Sequence, residues 1–219
     1  YTPKDAFPVG GAVRDLLLGR RPTDLDYAAL DPEKAAEEAK RRLGGSLFPL
    51  DPKRGHYRLV VGERTLDFTP LEGRLEEDLL RRDYRVNALL WKGGAVFGLK
   101  GVEEDLRRRL LVPVREENLY QDHLRSLRGV RLAATLGFGL PRRTREALGR
   151  HARFLQAHPE ALPARERVKE ELARLLLSPR AAFAFWRGWG SLGSTSPSSP
   201  SSWASIRAGC TTFPPGSTP

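Results

Sequence analysis

Residues 10–26, GGAVRDLLLGRRPTDLD, decide how this chain is read. Gly10 and Gly11 have no Cβ, so their backbone can turn sharply and bring amide N–H groups close to an anion. Val13, Leu16, Leu17 and Leu18 predict a short apolar helix that stops at Gly19, with the positive end of its dipole at the glycine turn. Leu25, Tyr27 and the small apolar residues up to Leu30 predict a strand. Side chains alternate along a strand, so Asp24 and Asp26 project from one face. Two ionised carboxylates that close repel unless a cation lies between them.

A pair of aspartates one residue apart is by itself weak evidence, because most such pairs sit in solvated loops. Behind a double-glycine turn at helix-length spacing it gains meaning. Two acidic oxygen donors suit Mg²⁺, which keeps several waters and completes its shell with substrate phosphates. Such an arrangement points to nucleotidyl transfer at a two-metal site, one ion activating an attacking hydroxyl and the other stabilising a departing pyrophosphate.

The same stretch resembles the signature of class II tRNA nucleotidyltransferases and bacterial poly(A) polymerases, a branch of the polymerase-β-like nucleotidyltransferases. Further segments resemble that family in order: DLLRRDYRVNALLW at 78–91, QDHLRSLRGVRLAATLGF at 121–138 and RERVKEELARLLLSP at 165–179. The resemblance covers roughly residues 7 to 180 and implies untemplated addition of nucleotides to RNA 3′ ends. It implies an α+β fold: a polymerase-β-like head with a mixed, mainly antiparallel sheet and helices, followed by an all-helical neck. On this reading residues 1–115 form the catalytic head, 116–185 the neck that recognises the nucleotide, and 186–219 an irregular tail.

The resemblance also assigns roles. Asp67, in RTLDFTP, matches the family's third carboxylate and would assist the attacking 3′-hydroxyl; Leu66 and Phe68 then face the core. Arg82, Asp83 and Asn87 match elements around the sugar and phosphates of an incoming nucleotide, where arginine's planar fork suits phosphate oxygens. Asp122 and Arg125, read as three apart on one helix, would select the base; Gln121 stands where the family usually has glutamate. Arg128 and Arg131 extend that face and offer charge to the triphosphate. Arg14 offers either a phosphate contact or a structural ion pair with Asp15. The four histidines, His56, His123, His151 and His158, are scattered in sequence and unlike metal ligands.

The 219 residues carry 37 Lys and Arg against 27 Asp and Glu, a formal charge of +10. That balance suits a polyanion, and Arg81, Arg82, Arg85, Arg125, Arg128 and Arg131 cluster near the motifs. The expected partners are a tRNA or other RNA 3′ end and CTP or ATP. A lone cysteine, Cys210, excludes an intrachain disulfide and fits a cytoplasmic setting. No membrane span or signal peptide is expected. The absence of methionine suggests a natural start upstream of Tyr1. From about Trp186 the sequence turns to Ser, Pro and Gly with Arg207 as its one charged residue beyond Arg187, which fits a disordered tail or an altered reading frame. Between Asp67 and Arg81 the chain is shorter than in CCA-adding members, which resembles the CC-adding subset. A poly(A) polymerase and a nucleotide-binding fragment without turnover stay open as alternatives.

For local structure, Asp31-Pro32 predicts a helix start and Gly44-Gly45 its end. Strands are expected at 46–50, 56–61 and 64–69 with a hairpin turn at Gly62-Glu63. Helices are expected near 75–90 and 103–109, a strand near 95–99, and helix throughout after about 116, with Leu124, Leu127, Val130 and Ala134, then Leu172, Leu175 and Leu176, as apolar stripes.

Overall fold

The computed structural model describes residues 1–177 and 210–212. Eight strands form one mixed sheet: β1 Ala6–Val9, β2 Asp24–Ala29, β3 Ser46–Asp51, β4 His56–Val61, β5 Arg64–Pro70, β6 Leu89–Lys92, β7 Ala95–Gly98 and β8 Cys210–Thr212. Their order is β3-β4-β5-β2-β1-β6-β7-β8. Only the β2–β5 and β7–β8 pairs are parallel. Apart from Cys210–Thr212, the tail expected to be irregular lies outside the described residues.

The helices are α1 Gly11–Leu17, α2 Pro32–Leu43, α3 Leu75–Leu80, α4 Val102–Arg108, α5 Glu117–Gln121, α6 Leu124–Leu136, α7 Arg142–Ala157 and α8 Arg165–Leu176. The described residues divide into two compact units: residues 1–82 with 86–103 and 210–212, and residues 83–85 with 104–177. No helix among the described residues is long and apolar enough to cross a membrane.

In the first unit, α2 starts as expected. The Asp31 carboxylate accepts a hydrogen bond from the Lys34 N–H at 3.0 Å, Pro32 occupies the first turn, and Gly44 closes the helix. Its small residues Ala35, Ala36 and Ala39 let the helix lie close on the sheet, over Tyr27, Leu59, Leu66 and Phe68. The Tyr27 and Phe68 rings stack at 4.9 Å. Burying that face sends the intervening residues of β2, β4 and β5 to the opposite one.

Two expectations about helices are corrected. The segment 75–90 is not one helix: α3 stops at Leu80 and residues 89–92 are strand β6. Asp83 and Arg85 make sheet-like backbone bonds instead, from the Val114 N–H to the Asp83 carbonyl (3.0 Å) and from the Arg85 N–H to the Val112 carbonyl (2.9 Å). Leu89 and Leu90 are both buried, so their run of apolar residues reflects a central strand. Nor is the chain helical throughout after 116, because Asp122 is extended (φ −141°) and separates α5 from α6.

The apolar stripes differ as well. In α6 the buried positions are Leu124, Gly129, Leu132, Ala133 and Leu136. Gly129 sits under the fully buried Tyr84 ring, whose hydroxyl donates to the Arg125 carbonyl at 2.9 Å. In α8, Leu172 and Leu176 are exposed while Glu171 is buried. Burial of Glu171 is compensated by arginine, as described below.

Candidate active site

Asp24, Asp26 and Asp67 share one face of the first unit's sheet. Asp26 pairs with Asp67 across the parallel β2–β5 ladder, and Asp24 lies two residues before Asp26 on the same strand. Leu66 and Phe68 are buried on the other side, as their alternation requires. Asp24 and Asp26 are exposed and Asp67 is partly so.

Sequence reasoning missed Arg58. It stands opposite Asp67 in the β4–β5 hairpin and donates Nε and Nη2 to the two Asp67 oxygens at 2.7 and 2.6 Å. The Asp67 hydrogen bonds raise the Arg58 pKa above its usual range against a smaller lowering by burial, and the fields of Asp67, Asp24 and Asp26 add to the rise. Arg58 therefore supplies positive charge to a face with three carboxylates. A Gly62-Glu63 turn sets the register that makes Arg58 and Asp67 partners, so the expected hairpin contained the signal.

The glycine turn borders this face. Val9, immediately before it, pairs with Asp26. Gly10 has φ 74° and ψ −140°, a conformation open mainly to glycine, and its N–H donates to the Leu89 carbonyl at 2.9 Å. A methyl group on Gly10 would lie 3.0 Å from Arg82 Nη1 and 3.6 Å from Asp26 Oδ2. The bend, the Arg82 guanidinium and the Asp26 carboxylate are therefore immediate neighbours. Arg82 is oriented by Asp78, to which Nη2 and Nε donate at 2.8 and 3.2 Å.

Arg14 is buried. It pairs with both Asp15 oxygens at 2.9 and 3.0 Å and donates Nη1 to the Asn87 side-chain oxygen. The ion pair with Asp15 is thus present, and it ties Asn87 to α1. Gly11 leaves room for this guanidinium, since a methyl there would meet Nη2 at 3.3 Å.

The donor set fits a hard divalent cation. Asp24 and Asp26 leave one accessible strand face two residues apart, and among the described residues no group of three or more His, Cys, Asp or Glu side chains is placed to hold a metal ion by itself. Two protein carboxylates suit Mg²⁺, which fills its remaining positions with water and phosphate oxygens.

The remaining candidates lie in the second unit. Asp83 is buried, accepts the Tyr84 N–H at 2.7 Å and pairs with Arg128 at 3.5 Å. Asp122 and Arg125 do not share a helix face as expected. One Asp122 oxygen accepts the Leu124 N–H at 3.2 Å and the other pairs with Arg167 at 2.9 Å. Burial alone would raise the Asp122 pKa, but Arg167 and the Leu124 N–H together lower it. Arg125 donates Nη1 to the Asn118 carbonyl at 2.9 Å. Arg131 pairs with buried Glu171, and Arg128 lies 3.5 Å from that carboxylate. Arg167 and Glu171 both come from the 165–179 segment.

The histidines are less scattered than their spacing suggests. His151 is buried, lies 2.9 Å from His123 Nδ1 and 2.7 Å from the Ser126 hydroxyl, and packs edge-on to Tyr120. Burial, then the His123 charge, lowers its pKa. A further buried carboxylate, Asp105, pairs with Arg85 at 2.7 Å, and burial pushes its pKa up to about 6.

Residues 6–74 match the poly A polymerase head domain. The A-adding tRNA nucleotidyltransferase of Deinococcus radiodurans is 45% identical over 181 residues, covering 82% of this chain and 42% of that protein. The CC-adding tRNA nucleotidyltransferase of Geobacter sulfurreducens is 38% identical over 183 residues, covering 80% and 41%. A crystal structure of a tRNA nucleotidyltransferase complexed with a primer tRNA and an incoming ATP analog superposes with a TM-score of 0.72 at 28% identity, covering 83% of this chain and 56% of that one. The chain thus spans less than half the length of these two curated relatives. Residues 6–74 are thus similar to the poly A polymerase head domain, and over most of its length the chain is similar to tRNA nucleotidyltransferases.

Proposed function

We propose that this chain is the nucleotide-transferring part of a metal-dependent enzyme that adds nucleotides from CTP, and from ATP, to the 3′ end of tRNA and releases pyrophosphate. The observation that carries this reading is the placement of Asp24, Asp26 and Asp67 on one sheet face beside the Gly10 bend.

In this reading the terminal 3′-hydroxyl attacks the α-phosphorus. The new O–P bond forms as the bond to the bridging oxygen of pyrophosphate breaks. Asp67 orients the hydroxyl and takes up its proton, with Arg58 keeping the carboxylate aimed. The Gly10–Gly11 backbone and Arg82 receive the triphosphate. Arg14 fixes Asn87, which with Asp83 is assigned to the nucleotide. Asp24 and Asp26 would hold Mg²⁺ in a two-metal site, and that ion, when bound, polarises phosphoryl oxygens and lowers the hydroxyl pKa.

Base selection is assigned to Asp122 and Arg125, with Arg128 and Arg131 supporting the anionic ligand. A base read by Asp122 shares a carboxylate that already meets Arg167 at 2.9 Å and the Leu124 N–H at 3.2 Å. The same proposal takes residues 1–115 as the head and 116–185 as the neck, with a cytoplasmic location where tRNA and nucleotides meet.

A second reading, addition of A alone, is favoured by the 45% identity to an A-adding relative. Incubating the full chain with Mg²⁺ and tRNA lacking its 3′ end or ending in CC, with labelled CTP, labelled ATP and both together, decides between them. C-only, A-only, C-then-A and long A-tract products correspond to CC addition, A addition, CCA addition and poly(A) synthesis. No incorporation from any NTP would refute the proposal.

A further inference from the structure

The carboxylate row continues to the edge of the sheet. Phe48 on β3 pairs with Arg58, Arg58 with Asp67, and Asp67 with Asp26, so all four side chains leave the same face in one line. Strands lie about 4.8 Å apart, which puts Phe48 roughly 10 Å from Asp67. The neighbouring Leu47 points the other way and packs against the core under α2. Phe48 does not: it is 49% exposed, and Leu50 beside it is 52% exposed. A large aromatic side chain held open beside a charged row contributes little to folding.

We propose that Phe48 is a stacking platform for a base near the single-stranded 3′ end of the RNA whose terminal hydroxyl lies at Asp67. This rests on the nucleotidyl-transfer reading for its placement. Three observations favour RNA as the occupant. Bases stack on aromatic side chains regardless of sequence. Residues 46–64, the β3–β4 hairpin, the turn after it and the first residue of β5, carry Lys53, Arg54, Arg58 and Arg64 against Asp51 and Glu63, which with Arg58 bound to Asp67 leaves a small surplus of positive charge for a phosphate backbone. Pro49 lacks an N–H, and the β3–β4 register shifts between Pro49 and Asp51. Both features blunt the edge against addition of a strand from a second copy.

The test uses the full chain and a short single-stranded RNA with 2-aminopurine at successive positions near its 3′ end. Wild type is expected to bind it and to quench the probe at one position. Phe48→Ala and Phe48→Leu should each weaken RNA binding by on the order of 5- to 100-fold, the loss of one base–aromatic stack, and abolish that quenching. Affinity for CTP should be unchanged, and Phe48→Trp should retain RNA binding. RNA affinity unchanged in Phe48→Ala, wild-type affinity in Phe48→Leu, or failure of Phe48→Trp would each overturn the platform. So would a wild-type dimer lost in Phe48→Ala at constant RNA affinity, which assigns the edge to a second copy. Binding is read without turnover. A chain that stacks RNA on Phe48 yet transfers nothing undoes the proposed function alone, and one that transfers with no dependence on Phe48 undoes the platform alone.

Discussion

Gly10→Ala probes the bend on which the proposed triphosphate site depends. At φ 74° and ψ −140° a Cβ forces the backbone out of a region nearly exclusive to glycine, a cost of about 1–3 kcal/mol. The new methyl would also sit 3.0 Å from Arg82 Nη1, tighter than ordinary packing. The contacted Nη1 is not an atom that bonds Asp78, so a small shift of this flexible end relieves the contact and the backbone term dominates. Gly19→Ala is the control. Gly19 has φ 70° but nothing within 4 Å of its added methyl, so it isolates the backbone cost, about 1–2 kcal/mol. Urea unfolding and NTP titration read both variants. If the turn holds its shape, Gly10→Ala loses stability; if it relaxes, the same free energy appears as weaker NTP binding, up to about 100-fold at 1.4 kcal/mol per decade. Gly19→Ala should lose stability alone. NTP affinity and stability both at wild-type levels in Gly10→Ala, or an equal loss of NTP affinity in Gly19→Ala, would refute the reasoning.

Other perturbations separate chemistry from scaffold. Asp24→Ala and Asp26→Ala remove exposed side chains, so each should leave urea stability within about 0.5 kcal/mol while abolishing transfer; turnover in either removes the metal assignment. Gly129→Ala places a methyl into the Tyr84 ring and should cost about 1–3 kcal/mol from overpacking, with ~1 more for the Tyr84–Arg125 bond. Tyr84→Phe should show only the smaller part, and an unchanged Gly129→Ala melting curve would contradict the packing. Asp105 carries the pH dependence. Its folded pKa, raised to about 6 from 3.8, means its contribution is full below about 3.8 and is lost as pH rises through 6. Relative to Asp105→Asn, wild type should therefore gain stability as pH falls from 7 to 4, and a constant difference would sink this assignment.

Much of the site's scaffold was legible because it follows from local rules. The Asp31-Pro32 start of α2, the β4–β5 hairpin and the alternation that separates Leu66 and Phe68 from Asp67 all depend on nearest neighbours in sequence. The errors arise where distant residues decide. Apolar spacing carried the expected helix through Arg81–Leu90, but backbone bonds to Val112 and Val114 and the buried β6 strand override it. Asp122 looked helical beside Arg125, yet capping α6 and meeting Arg167 pull it into an extended conformation. The apolar stripe expected at Leu172 and Leu176 is exposed while Glu171 is buried, because only the fold brings Arg128 and Arg131 to it. Arg58 was within reach of hairpin register, and it matters because it shares the carboxylate face.

The most direct test is a crystal structure of the full chain grown with Mg²⁺ and CTP, or ATP in its place. The account predicts cation density on the Asp24 and Asp26 carboxylates, with triphosphate oxygens against the Gly10–Gly11 backbone. Nucleotide bound elsewhere, with those two aspartates holding no ion, would contradict it.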